Sequence, residues 1–550
     1  MQIRHVPERS YRAIFKWGAH DVFYTIDEKL KSFIVEELGL SRDDVETPQL
    51  PGLDEIGEVP PSRLNRTAIK ALEDLVGQEN VSTESFSRAK HGYGSTFYDL
   101  MRLRRGVVES IPDAVVAPRD EQDCERVLAF CQKEGIPVIP AGARSSVTRG
   151  VEAPTGGVCL DLTAHMNQIL EVNPEDLSAR VQPGIYGPAY ERQLNDLGFT
   201  GGHFPQSFEF STVGGWVATR GAGQQSTYYG KAEDLVLALR CATPQGLLAT
   251  LPFPKAALGP DMNQLLVGSE GSYGVITETT MKIFPHYKKG QLPICFMFRT
   301  FEEGLSALRE IMQGGFGKPG VFRLSDPEET EVALELDGLS GGTIDKTLKR
   351  LGYKSQSRSL FIAATDGNPT TAAYTAARAH AVGLRHRGLP LGGVPLHAWR
   401  KRRYHDPYLR DDLMDMGVIT DTLETAVTWS GMKGLWSRVR KVMKKRPRTV
   451  VMTHISHAYE NGGNLYFIFL SPMKKGEELE DYSRFHKEIV DAIVANGGSL
   501  SHHHGIGRLF APWLPAHLGS LAHRTLDSVK NTLDPKGVMN PGVLGLPIEG

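Results

Sequence analysis

Residues 501–508 read SHHHGIGR, three consecutive histidines ahead of two glycines. Imidazole titrates near neutral pH, which suits it to moving protons, and in its neutral form it is also a metal ligand. Successive side chains lie about 100° apart in a helix and on opposite faces in a strand, so at most two of His502, His503 and His504 share one site. His454 and His457, in THISHAYENGGNLY, leave a histidine-rich metal site open as the alternative to acid/base work. No metal is the expectation adopted, because histidines in loops are more often hydrogen-bonding groups or general bases. A second chemistry is phosphate binding. Residues 206–285 are rich in glycine, which takes positive φ and lets main-chain N–H groups approach an extended phosphate-bearing ligand. AGARSSVTRG at 141–150 fails the G-x-G-x-x-G pattern and G-x-x-x-x-G-K-[ST] does not occur, so a Rossmann or P-loop site is not expected. A third pattern, GLSGG at 338–342, matches a hydrolase elbow around Ser340, but SDPEETEVALELD before it opens on a helix cap where an elbow needs a strand.

The elements that must carry these residues follow from periodicity and turn chemistry. DEKLKSFIVEELGL has helical spacing, and TPQLPGLDEIGEVPPS breaks the chain as a loop. From Pro112 onward AVVAP, RDEQDCERVLAFCQKEG and IPVIP make strand, helix closed by Gly135, and strand, a β-α-β unit. VCLDL and two strands around an Asn-Pro-Glu-Asp turn follow, then a helix over GPAYERQLNDLG. Residues 290–430 alternate strands (PICFMFRT, SLFIAATDG) with helices (FEEGLSALREIM, TTAAYTAARAHAVG), as a separate cap would, and NLYFIFL is a buried strand. A chain of 550 residues has room for two to four domains, and its net charge of -2 gives no overall case for nucleic acid. Five scattered cysteines without a C-x-x-C pair indicate neither a disulfide framework nor a thiolate zinc site and fit a reducing cytoplasm. The first residues show no apolar signal segment, no stretch is long enough to span a bilayer, and LPIEG is no peroxisomal tripeptide. GLWSRVRKVMKKRPR at 434–448 has the spacing of a basic amphipathic helix, and WRKRR at 399–403 adds charge, so peripheral membrane contact is weighed equally against a solvated basic face.

Four segments, PAGARSS (140–146), GGHFPQSFEFSTVGGWVATRGAG (201–223), DLVLALRCATPQG (234–246) and GSEGSYGVIT (268–277), resemble the flavin domain of the vanillyl-alcohol-oxidase-type flavoproteins. Within that group FKWG, RLSD (323–326), YLRD (408–411), LETAVTW (423–429) and GGSLSHHHGIG (497–507) resemble the alkylglycerone-phosphate synthases over nearly the whole chain. One departure stands out: where that family reads Gly-Gly-Gly-Thr-Ser, this chain has Gly142, Ala143, Arg144, Ser145 and Ser146, so Arg144 either points away or pairs with a pyrophosphate.

The resemblance implies an α+β fold with a PCMH-type FAD-binding domain, a helical N-terminal region (1–105), the FAD domain (106–288), a cap and substrate domain (289–495) and a C-terminal segment (496–550) that brings the histidines back to the FAD domain. It implies non-covalent FAD held by Pro140, Ala141, Gly142, Ala143, Arg144, Ser145 and Ser146; by His203, Gln206, Ser207, Ser211, Thr212, Gly214 and Gly215; by Thr219, Arg220, Gly221 and Ala222; and by Glu270, Gly271, Gly274, Val275 and Ile276. Catalytic roles fall on Tyr466, His502, His503, His504, Arg410 and Arg323, with Arg410 gripping a phosphate and Tyr466 hydrogen-bonded to an imidazole as an acid/base pair. Unaided, Arg410 reads as a salt bridge within YLRDD, Arg323 as a partner of Asp326 and Tyr466 as a core residue. The implied reaction replaces the acyl chain of an acyl-dihydroxyacetone phosphate by a long-chain fatty alcohol, through a flavin N5 adduct and without net redox. The alternative is FAD-dependent oxidation of a 2-hydroxy acid such as lactate or glycolate. A homodimer is expected.

Overall fold

The computed structural model describes the chain except Met1, Arg4, Gln49, Leu53, Asp54, Asp406 and residues 548–550, with the Phe15 side chain also outside the description. The terminal tripeptide and part of the Pro-rich break at 47–62 therefore lie outside the described residues; the rest of that break carries neither helix nor strand. The β-α-β unit forms around Val158–Asp161, which pairs in parallel with both Ala114–Val116 and Val138–Ala141. The helix between them, Glu121–Glu134, starts on the Asp120 side chain and stops at Gly135, whose φ of 70° is open to glycine at little cost. Val81–Ser82 adds an antiparallel edge to this four-stranded sheet, so the N-terminal region is built into it. A five-stranded antiparallel sheet, in the order Gly246–Ala249, Val236–Thr243, Val275–Lys282, Ser178–Val181, Ile169–Asn173, completes the glycine-rich half.

The second half is a seven-stranded antiparallel sheet ordered Leu389–Pro390, Pro293–Phe298, Ser359–Ala364, Val321–Ser325, Val450–Ile455, Gly462–Pro472, Val418–Thr428. Its last two strands pair over their whole length, placing Glu424 opposite Tyr466, and Tyr466 in turn opposite His454. GLSGG follows the helix Pro327–Leu336, capped by Asp326, so no strand leads into Ser340. The apolar face of the helix Trp429–Met443 (Met432, Leu435, Val439, Met443) is buried in the main core, which removes the apolar half of the membrane-docking argument. Among the described residues no helix is long and apolar enough to cross a membrane. The C-terminal segment returns to the first sheet, where the Val138 N–H donates to Val538 O at 2.8 Å and the Asn540 N–H to Val138 O at 2.9 Å.

Candidate active site

One cavity of about 390 Å³ lies between the two halves. Its first wall is made by the glycine-rich turns. Pro140 to Ser146, Gln206, Ser207, Ser211, Thr212, Gly214, Gly215, Thr219, Gly221, Ala222, Glu270, Gly271, Gly274 and Ile276 all line it. Gly142 is tightly packed: a Cβ there would meet Thr212 Oγ1 at 2.3 Å, so any larger residue would displace the Thr212 side chain or the loop. Among the described residues no main-chain N–H from Gly142 to Ser146 donates to another part of the chain, so this wall offers a run of donors to an anionic ligand. An extended diphosphate-bearing cofactor fits that set. Arg144 lines the wall too, and one of its guanidinium nitrogens donates to the Lys90 carbonyl.

Three expected cofactor contacts do not reach the cavity. Arg220 turns to Val267 O and Gln264 Oε1, Val275 is buried in a side core, and His203 lies behind the wall against Trp216 with ring centroids 4.7 Å apart. Arg220 and Val275 stand beside Gly221 and Gly274, which do line the wall; the direction of each side chain is decided by packing.

The opposite wall carries the ionisable groups Arg323, Arg410, Asp421, His454, His457, Tyr466, His503 and His504, with Trp17 from the N-terminal FKWG also on the cavity. The histidine loop is fixed by two buried carboxylates. Glu424 accepts the N–H groups of His502 (2.6 Å), His503 (3.2 Å) and His504 (3.0 Å) and the Ser501 hydroxyl. Glu270 accepts those of Ile506 and Gly507, each at 2.7 Å, so both of its oxygens serve the loop. Burial pushes the Glu270 carboxyl up to about 7 against those two hydrogen bonds. Gly505 has φ 89°, and a Cβ on Gly507 would lie 1.9 Å from Thr148 O, which explains two glycines so close behind the triplet.

The loop turns His503 and His504 to the cavity and His502 away. The Tyr466 ring is sandwiched between His454 (4.9 Å) and His503 (5.9 Å), with 16° between planes in both pairs. Its hydroxyl donates to Thr422 Oγ1 at 3.2 Å, and burial pushes it up to about 12. The expected phenol–imidazole hydrogen bond is therefore not made by Tyr466; Tyr459 makes it, 2.7 Å from His502 Nε2. His454 Nδ1 is held by Glu329 at 3.0 Å. Burial first, then neighbouring imidazoles and the Lys231 ammonium, hold His502 and His503 well below their usual range, so both are neutral at pH 7.

The two arginines have other partners than their sequence neighbours. Arg410 pairs with Asp421 at 3.1 Å and donates to Ser95 O at 2.9 Å, while its Nε is buried without a partner among the described residues. Asp411, beside it, is taken by Arg12, Lys16 and Arg104. Arg323 pairs with Glu329, and Asp326 with Arg440 at 2.7 Å. Ring nitrogens of His457, His502 and His503 lie within 4.8 Å of one another, a spacing compatible with a metal ion. His457 is already bonded on both sides, to Gly223 O (3.0 Å) and Ser456 Oγ (2.9 Å), and Lys231 sits on the His502 carbonyl. That arrangement is a hydrogen-bonded network with a cation beside it. Glu424, Glu329, Tyr459 and Asp421 escaped the sequence reading, although LETAVTW and THISHAYENGGNLY contain two of them.

Residues 112–251 match the FAD binding domain model, and residues 293–544 match that of the FAD linked oxidases, C-terminal domain. The chain is 31% identical over 534 residues to an alkyldihydroxyacetonephosphate synthase of Dictyostelium discoideum (93% of this chain, 87% of that protein). It is 30% identical over 519 residues to one of Trypanosoma brucei brucei (90% and 84%). A solved alkyldihydroxyacetonephosphate synthase superposes with a TM-score of 0.81 at 28% identity, covering 96% of this chain and 99% of that one. The chain thus belongs to the alkyldihydroxyacetonephosphate synthase family of FAD-linked enzymes.

Proposed function

We propose that the protein exchanges the acyl chain of an acyl-dihydroxyacetone phosphate for a long-chain fatty alcohol, giving an ether lipid precursor with no net redox. The observation that carries this reading is the meeting, on one cavity wall, of Arg410 with Tyr466, His503 and His504, facing the glycine-rich wall. A dianionic phosphate suits a guanidinium that is partly buried, paired with Asp421 and left with an Nε donor without a partner among the described residues. When bound, FAD supplies a nucleophilic ring nitrogen beside the substrate. The chain's own part is to move protons. Neutral His503 and His504 accept the proton that leaves C1 and give it back, and the Tyr466 phenol, protonated at every physiological pH, donates a hydrogen bond to the departing carboxylate while keeping its proton.

The test is product analysis without oxygen. Purified protein given a long-chain acyl-dihydroxyacetone phosphate and a fatty alcohol should yield the alkyl ether and free fatty acid by mass spectrometry. No ether, with flavin bleached by a 2-hydroxy acid, would overturn the reading in favour of an oxidoreductase.

A further inference from the structure

The phenol–imidazole bond at Tyr459 continues beyond His502. His502 Nδ1 lies 2.9 Å from His503 Nδ1, and His503 lines the cavity while His502 does not. The three side chains form one unbroken hydrogen-bonded chain from the cavity wall into the protein, of 2.9 Å and 2.7 Å links. His502 and Tyr459 are held through their main chains. The His502 main chain is clamped between Glu424 on its N–H and the Lys231 ammonium, 2.7 Å away, on its carbonyl. Tyr459 sits in the turn before Gly462–Pro472, its N–H donating to Gly462 O at 2.7 Å and its carbonyl accepting from Trp429 Nε1 at 3.1 Å.

A contact between two Nδ1 atoms of neutral rings requires one to be protonated and the other bare. Only two arrangements satisfy all the links. In one, His503 carries its proton on Nδ1, donates it to His502, and presents a bare Nε2; His502 then donates from Nε2 to Tyr459 Oη. In the other every proton has moved one place, so that Tyr459 donates to His502, His502 donates to His503, and His503 carries Nε2–H. We infer that Tyr459, His502 and His503 are a proton relay, in which a proton taken up at His503 Nε2 displaces one from His503 to His502, one from His502 to Tyr459 and one from the Tyr459 hydroxyl.

The released proton has a receiver close by. It is Glu233, which shares a cation with the relay: Lys231 holds the His502 carbonyl at 2.7 Å and one Glu233 oxygen at 3.0 Å, and the other Glu233 oxygen is buried without a partner among the described residues. No electrons move, and the reverse sequence returns the proton to the substrate. Tyr459 and His502 thus act through His503 and position its protons without touching substrate.

This inference rests on the exchange reading for its rate arm, so two readouts are needed. In the FAD-loaded protein, ¹⁵N spectra of histidine-labelled enzyme should show complementary tautomers at His502 and His503, and Tyr459→Phe should shift both. Two rings in the same tautomer, unmoved by the substitution, would overturn the relay whatever reaction the enzyme runs. In ether formation Tyr459→Phe should lower kcat by about a hundredfold with KM within about twofold, and turn a curved proton inventory in mixed H₂O and D₂O linear. A variant that keeps both the wild-type rate and the curved inventory would sink it. Should the wild type form no ether, the exchange reading fails by itself, and the spectra still decide the relay.

Discussion

The residue whose role turned furthest from expectation is Tyr466. The family resemblance implies a hydrogen bond from Tyr466 to an imidazole, and instead the ring lies flat between two imidazoles with its hydroxyl on Thr422. Which tyrosine meets which histidine depends on the register of two strands and on a loop 36 residues further along, and no local pattern encodes that. Tyr466→Phe keeps the stack and removes only the hydrogen-bond donor to the leaving carboxylate, so kcat for ether formation should fall by about a hundredfold while the melting temperature moves little. Arg410→Lys keeps the charge but loses the planar fork; the expected result is a KM for the phosphate substrate raised about tenfold, read from initial rates. The histidines give a pH prediction. Their protonation is suppressed below the ordinary 6.5, so the rate should hold as pH is lowered through that value, with the acidic limb of a kcat profile lying beneath it.

Among the elements, the loop of residues 501–507 and the helix Tyr408–Asp415 position the site, and both are held by buried carboxylates. Glu424 accepts three consecutive N–H groups, so Glu424→Ala leaves them orphaned; thermal or denaturant unfolding should show a loss of about 3 kcal/mol. The helix bearing Arg410 is anchored through Asp411 to Arg12, Lys16 and Arg104 of the N-terminal region. Burial alone would raise the Asp411 carboxyl, but Arg104, Arg12 and Lys16 together hold it well below its usual 3.8. A depressed carboxyl contributes stability above its unfolded value and loses it as pH falls below 3.8. Asp411→Asn should therefore cost about 3 kcal/mol at neutral pH and flatten the acid limb of a stability profile. The sequence made the elements themselves legible, because hydrophobic spacing and caps such as Asp120 and Asp326 are local signals. The ion pairs were not: each arginine's true partner is reached through the fold, and the neighbouring aspartates of YLRDD and RLSD are engaged elsewhere.

For the whole molecule, the glycine-rich half and the antiparallel cap close one cavity, and the C-terminal segment ties the histidine loop to the first half through Glu270 and Asn540. The motif series carried this architecture, since three separated glycine-rich turns, around 140–146, 206–222 and 270–276, and the triplet each lie on the cavity or beside it. What it did not carry was side-chain direction, as Arg220 and His203 show by lying off the wall. Because the N–H donors of residues 142–146 have no partner within the described chain, FAD should stabilise the fold: at a hundred times Kd, by about 2.7 kcal/mol, visible as a concentration-dependent rise in melting temperature. The most direct test of the central claim is the flavin spectrum followed through anaerobic turnover, with fatty acid and ether counted together. Exchange without net redox predicts one fatty acid released per ether formed and an oxidised flavin spectrum once substrate is consumed. A flavin left reduced in proportion to substrate used, with no ether, would contradict it.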